Sequence, residues 1–581
     1  MTSRAVWAWV ALALAVYAAL ATLSERHKSA VFDEIIHLPP GYAIVKLGDH
    51  RMNPLHPPLA RVIAAWPLLF MDVRVDPDDL AWRTARPWEW GKRFLYRWND
   101  GDRLLFWGRL PIVALAMILA VAVFLWARRL WGLPAGFLAL FLCVLNPDVL
   151  AHGHLATNDL PVVLFVFLSV IAFDRLARRV TLARVVAVAL AVGAAFATKF
   201  SAFALPPILL ALSVVVAVRP EPLSVAIGRA RNVTGRGTKL LVLVGVVLAI
   251  GALALVVVWA AYGFHSALTP DPAVDAFMHA HDAPPAGAAL RVGAAFARGG
   301  HLLPEAWVWG FLNCFKSFAS RPSFLLGEYS DTGWWYYFPV AIALKAPLAL
   351  LLLVLAAAVL AWMRPAPGRA QWFVWLPPAL FLALTMTQNI NIGHRHVLAI
   401  YPFLFVAASR VASLAWSARG RGGTWARAGV AALVLWYAAS VLRVHPNYLA
   451  YFNEAAGGPS QGWRWLVDSN VDWGQDLPGL KRYMDASGIP RVTLCYFGTA
   501  DPAYYGIAAE RLPSYQPPPP STIVHAVHPG DVVAISATHL QGLYLDPEMQ
   551  PLMALFRARS PIATIGHSIF VYKADFAWTM P

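Results

Sequence analysis

The feature that most constrains this chain is a series of long apolar runs recurring from residue 5 to residue 441. About 20 consecutive apolar residues let a helix cross the hydrocarbon core of a bilayer. A helix is also one of the few conformations that satisfies every backbone polar group there without water. The runs predict about eleven spans, at 5–23, 104–127, 130–145, 160–173, two within 180–218, 240–262, 337–363, 372–387, 397–416 and 428–441. The 180–218 run divides at Thr198-Lys199-Phe200-Ser201 and again at Pro206-Pro207, which suits two helices with a tight turn at Lys199. Composition agrees: 59% of residues are hydrophobic and 14% charged, against roughly 25% charged in a soluble protein. The expected fold class is an all-α polytopic membrane bundle followed by a small α/β domain.

The formal net charge of +15 could suggest nucleic acid, but its distribution argues for a bilayer instead. Arg4, Arg128, Arg129, the basic stretches 175–184, 219–239 and 419–427, and Arg364 with Arg369 all fall on one side of the expected spans. The positive-inside rule makes that side cytoplasmic. The expected orientation is an N-terminus in the cytoplasm and a C-terminal domain that is periplasmic or extracellular; the inner (plasma) membrane of a bacterium, as the location, is what the resemblance described below implies. Ala19-Leu20-Ala21 has the small residues of a signal-peptide cleavage site, but the run it ends opens a larger bundle and reads as a retained anchor. Three cysteines cannot make a disulfide framework; Cys143 reads as packing, and Cys314 with Cys495 is a weak candidate pair.

The chain divides into a transmembrane domain, 1–442, and an extracytoplasmic α/β domain, 443–581. Two outer loops, 24–103 and 263–336, interrupt the first. Within the first loop, 59–70 is apolar but too short to cross and reads as an interfacial helix. Trp82, Trp88, Trp90 and Trp98 suit a headgroup boundary. In the tail, 479–486 has helical composition, 491–497, 531–536 and 568–573 have strand composition, and 517–520 is a Pro-rich linker.

Nearly every polar feature with chemical potential falls on the outer side. The loop 31–59 carries adjacent acids, Asp33 and Glu34, and two histidines, His37 and His56. A carboxylate at a membrane surface can act as general base toward a hydroxyl or amine; it can equally be a solvated charge. Asp159 opens a span after Thr157-Asn158, where it can cap a helix or serve the chemistry. Lys199, in an apolar hairpin, either marks a ligand or snorkels to the interface. Arg395, between His394 and His396 at the start of a span, is suited to bidentate phosphate recognition. Arg109 and Lys345 are further cations near outer span ends. The pairs His152/His154, His279/His281 and His394/His396 permit a divalent metal, but no spacing is diagnostic, and no cofactor is otherwise indicated. Asp472, Trp473, Gln475 and Asp476 read as a structural turn or, less favoured, a sugar-holding cluster. A Walker-type phosphate loop is absent from the sequence.

These motifs carry a family resemblance. Phe32-Asp33-Glu34 with His37, then Gly48-Asp49-His50-Arg51 and His56-Pro57-Pro58-Leu59, resemble the polyprenyl-phosphate-sugar-dependent glycosyltransferases of the C-type fold. Thr157-Asn158-Asp159, Ala197-Thr198-Lys199-Phe200 and His394-Arg395-His396 follow in the family's order. The group includes protein O-mannosyltransferases and the lipid A aminoarabinose transferase, and the segments 327–347 and 451–477 are similar to a bacterial family-39-like subgroup. The resemblance implies inverting transfer of a sugar from a polyprenyl-phosphate donor to an acceptor protein, lipid or glycan on the outer face. It makes Asp33 the base, with Glu34 and Asp159 beside it. It implies that Lys199 and Arg395, with Arg109, His394 and His396, hold the donor phosphate; Lys345 is a candidate substrate contact, and His37 and His56 stay open between substrate contacts, metal ligands and loop packing. Some members of such a family bind a metal and others do not. The competing reading is a transporter or flippase for a lipid-linked sugar, which would place its ionisable groups at mid-membrane in broken helices.

Overall fold

A computed structural model describes residues 2–280, 293, 297, 299–317, 320–366 and 368–580. The apolar runs form helices as their composition requires. The principal ones are α1 (Ser3–Glu25), α2 (Leu38–Leu47), α3 (Leu59–Ala65), α4 (Gly101–Trp131), α5 (Leu133–Val144), α6 (Asp159–Leu176), α7 (Leu182–Phe196), α8 (Leu205–Val218), α9 (Arg236–Ala261), α10 (Tyr337–Lys345), α11 (Leu348–Met363), α12 (Ala370–Thr385), α13 (Tyr401–Ser417) and α14 (Gly420–Leu442).

Among the described residues, six helical stretches are long and apolar enough to cross a membrane, or seven if the bent pair α10–α11 forms one span. The expected count of about eleven is not confirmed by that measure, because α5, α7 and α12 have only 12, 15 and 16 residues, and α6, with 18, carries Asp159, Asp174 and Arg175. The single run 337–363 is also corrected. It bends by 115° between α10 and α11. Pro347 disfavours helical backbone at the residue before it, and Ala346 is extended at ψ 136°. The break inside 180–218 falls where expected: Lys199 is extended, and Pro206 and Pro207 open α8 after one 3-10 turn.

The first loop folds back under the bundle mouth. A 3-10 turn, Glu34–Ile36, leads into α2, which ends at Gly48 in the left-handed region, φ 67°. Helix α3 continues as 3-10 turn Trp66–Phe70, with Trp66 and Phe70 exposed. Trp82 and Trp90 depart from the headgroup expectation. Both are buried, and Trp82 lies 4.8 Å beneath the Arg51 guanidinium.

The tail forms α15 (Leu477–Ala486) and a five-stranded sheet. Its strands are β1 (Val492–Cys495), β2 (Ala509–Arg511), β3 (Val532–Ser536), β4 (Ala563–Ile565) and β5 (Ile569–Lys573), in the order β2-β1-β3-β5-β4. β1 is parallel to β2 and β3, and β5 is antiparallel to β3 and β4. One face of the sheet shares its apolar core with the bundle, where Phe32 of the first loop stacks on Phe497 at 5.2 Å. Cys143 is buried, as packing predicts, and all three cysteines are free.

Candidate active site

Four charged side chains from four separate segments converge at one end of the bundle. Arg395 Nη1 donates to Asp33 Oδ2 at 2.9 Å and to Asp159 Oδ2 at 3.2 Å. Lys199 Nζ donates to Asp159 Oδ1 at 2.5 Å. Asp159 is buried and engages both cations, while the Asp33 side chain keeps 21% exposure. Of the two acids, Asp33 is thus the one open to an incoming group.

Local structure sets each position. Asp159 is the first residue of α6, Lys199 occupies the extended break after α7, and Arg395 lies in the 3-10 turn His394–Ile400 that leads into α13. That turn is pinned from the tail. Arg395 Nε donates to Ser469 Oγ at 3.1 Å, and its guanidinium lies 4.2 Å over the Trp473 ring. A Cβ on Gly393 would stand 2.1 Å from Ser469 Oγ, so only glycine admits this contact. Asp33 is held through its neighbours: Ser29 N donates to Gln475 O at 2.9 Å and Phe32 N to Trp473 O at 2.8 Å. Sequence reasoning missed Ser469 and gave Trp473 no part in holding a cation. The polar-aromatic run 468–476 was their visible signal. Its acids and amide are internally bonded: Asp472 accepts from Thr538 N, and Asp476 from Lys28 and Ser568. The run is therefore a structural junction, the favoured reading.

A cavity of about 200 Å³ opens beside the cluster. Lys199 and Arg395 give it a basic side, with His396 beside them, and Phe200, Phe203, Phe381 and Leu384 give it an apolar side. His37 and His56 lie alongside, stacked at 5.6 Å. Burial, then the positive charge of Arg61, drives His37 down to about 3. Burial, followed by the neighbouring His37, Lys199 and Arg61, also holds His56 well below its ordinary range. Both rings are neutral at physiological pH.

The remaining candidates are engaged elsewhere. Glu34 is fully buried and receives Arg109 through two bonds, Nε at 2.8 Å and Nη2 at 2.6 Å, with Val31 N and Ala156 N at 2.9 Å each. Burial opposes its charge, but Arg109 and the two amides prevail and hold its carboxyl below the ordinary range. His394 Nδ1 lies 3.2 Å from Asp148 Oδ1, and its Nε2 2.9 Å from the Tyr401 hydroxyl. Lys345 Nζ donates to the carbonyls of Leu449 and Asn470 at 2.9 and 2.6 Å. Among the described residues no group of three or more His, Cys, Asp or Glu side chains could hold a metal ion. Asp33 and Asp159 already face cations, which does not fit a metal cage. The side chains of His279 and His281 lie outside the described residues.

Residues 101–227, which include Arg109, Asp159 and Lys199, match the family model described as dolichyl-phosphate-mannose-protein mannosyltransferase. A search of curated proteins finds no match. Among solved structures, ArnT from Cupriavidus metallidurans bound to undecaprenyl phosphate aligns at 13% identity over 97% of this chain and 97% of its own, with a TM-score of 0.47. The archaeal oligosaccharyltransferase AglB from Archaeoglobus fulgidus, in complex with an inhibitory peptide and a dolichol-phosphate, aligns at 12% identity over 74% of this chain and 56% of its own, with a TM-score of 0.39. Neither TM-score reaches 0.5, so neither structure bears on the roles of individual residues. The family match lies over the stretch that holds Asp159 and Lys199, half of the charged cluster, and marks that stretch as similar to the dolichyl-phosphate-mannose-protein mannosyltransferases.

Proposed function

We propose that the protein transfers a sugar, with inversion, from a polyprenyl-phosphate donor to a hydroxyl or amine acceptor on the outer face of the membrane. The observation that carries this reading is the sharing of Arg395 between Asp33 and Asp159, with Lys199 beside them, at the edge of a half-apolar cavity. A phosphate on an apolar tail suits such a surface: cations for the head, aromatic and aliphatic side chains for the first isoprene units.

The acceptor oxygen or nitrogen attacks the anomeric carbon from the side opposite the phosphate. The anomeric C–O bond breaks and its electron pair leaves with the lipid phosphate. The acceptor proton passes to Asp33, the acid with open access. Lys199 and Arg395 stabilise the charge that grows on the leaving phosphate, and such preorganised stabilisation is commonly the largest catalytic effect. Asp159 orients the two cations. Glu34, Arg109, His394 and Lys345 act as positioning residues, since their polar atoms are committed to protein partners.

The test compares two variants of the full chain in detergent. D33N loses transfer from a polyprenyl-phosphate sugar by about 10²–10⁴-fold yet still binds undecaprenyl phosphate. R395A loses binding of undecaprenyl phosphate. Retained turnover in D33N removes it as the base, and unchanged lipid-phosphate affinity in R395A removes the cation from the donor site.

A further inference from the structure

The same helices that bring the charged cluster together carry a second polar–apolar site at their other ends. Helices α4, α6 and α7 enclose a groove of about 800 Å³. Its walls are aliphatic and aromatic, with Leu125, Phe165 and Leu190 among them, and Leu125 and Leu190 are exposed along its rim. Arg129, Arg175 and Arg184 line the groove as well. Arg129 lies in the last turn of α4, Arg175 in the last turn of α6 and Arg184 in the first turn of α7. Arg109, Asp159 and the Lys199 break occupy the opposite ends of those three helices. The two sites therefore stand a helix length apart.

The charge here is not internally balanced. Among the described residues, none of the three arginines has a carboxylate within ion-pair distance, whereas the nearby Asp174 pairs with Arg178 at 3.2 Å and Arg369 at 3.3 Å. Arg184 Nη1 instead donates to the carbonyls of Arg175 and Arg179, at 2.8 and 3.0 Å, which draws its guanidinium in toward the end of α6. An apolar trough between membrane helices with guanidinium groups lacking a carboxylate partner at one end suits an anionic lipid, a phosphate on apolar chains.

We infer that this groove binds an anionic diacyl phospholipid of the leaflet opposite the active site. The acyl chains lie against Leu125, Phe165 and Leu190, and the headgroup phosphate meets the three arginines. Guanidinium groups favour phosphate through paired N–H donors, and each basic side chain at such a surface contributes about fivefold in affinity.

The experiment uses the full chain purified in detergent, with native mass spectrometry to count bound lipid. Dioleoyl phosphatidylglycerol and dioleoyl phosphatidylcholine are offered at equal concentration. Phosphatidylglycerol is retained preferentially, by about fivefold or more. R129Q lowers that preference by about fivefold, R175Q acts alike, and R129K, which keeps the charge but not the paired donors, retains more of it than R129Q. The three variants elute from a sizing column as the parent does. Inorganic phosphate in large excess over the lipid leaves the bound phosphatidylglycerol in place, which separates a lipid site from an anion site. Equal retention of the two lipids, displacement by free phosphate, or an unchanged preference in both glutamine variants overturns the inference. So does finding that undecaprenyl phosphate displaces the phospholipid there.

Discussion

At the residue scale, the adjacent acids Asp33 and Glu34 have opposite fates. Glu34 has four donors and no exposure, so it anchors Arg109; Asp33 meets one cation, Arg395, and keeps access. The sequence placed both in a reactive loop, because a dipeptide does not reveal which side chain turns inward. Neutralising Glu34 leaves the Arg109 charge buried without its partner. E34Q therefore loses about 3–5 kcal/mol of stability, read as an earlier chemical-denaturation midpoint in detergent; a midpoint equal to the parent's counts against the anchor. His37 gives a pH signature. Its folded pKa of about 3 lies below the ordinary 6.5, and His56 is shifted the same way. Groups so depressed favour the folded state fully above pH 6.5, and that contribution is lost as pH falls toward 3. Thermal midpoints fall across that window, and H37N flattens the slope.

At the element scale, the sequence showed the turn at Lys199, the helix near residue 480 and the three central strands close to where they lie. These depend on local signals: prolines, β-branched runs and amphipathic spacing. The bend between α10 and α11 and the burial of Trp82 and Trp90 were not legible, because tertiary partners decide them. Lys345 is drawn to two carbonyls distant in sequence, and Arg51 covers Trp82. The contact of Gly393 with Ser469 belongs to this scale as well, since it joins the 3-10 turn before α13 to the junction 468–476. G393A pushes those elements apart and shifts Arg395. Transfer falls by about 10²-fold, the cost expected of a 1 Å misplacement, with the protein still monodisperse. Wild-type turnover in G393A would show that the turn tolerates the shift.

At the scale of the whole molecule, the charge partition is legible in the sequence, since positive loops and chemical loops alternate along the chain. The helix ends keep that partition: the acid–cation cluster lies at one end of α4, α6 and α7, and unpaired arginines lie at the other. A reporter enzyme active only outside the cytoplasm, joined after Pro581, is therefore active; activity of a cytoplasm-restricted reporter at the same position would invert the orientation. The sharing of one apolar core between tail and bundle was not visible from sequence, because the tail's strands look self-sufficient by composition.

The pairing of Ser29 and Phe32 with Gln475 and Trp473 also bears on how the enzyme is made. The acidic loop leaves the ribosome early, but the backbone that fixes it is translated more than four hundred residues later. Contacts so far apart along the chain form late. Every helix of the bundle can be inserted while Asp33 still lacks its support and Arg395 still lacks Trp473. The charged cluster thus gains its support from the tail only with the last quarter of translation, and a chain truncated before residue 473 keeps the bundle helices without that support.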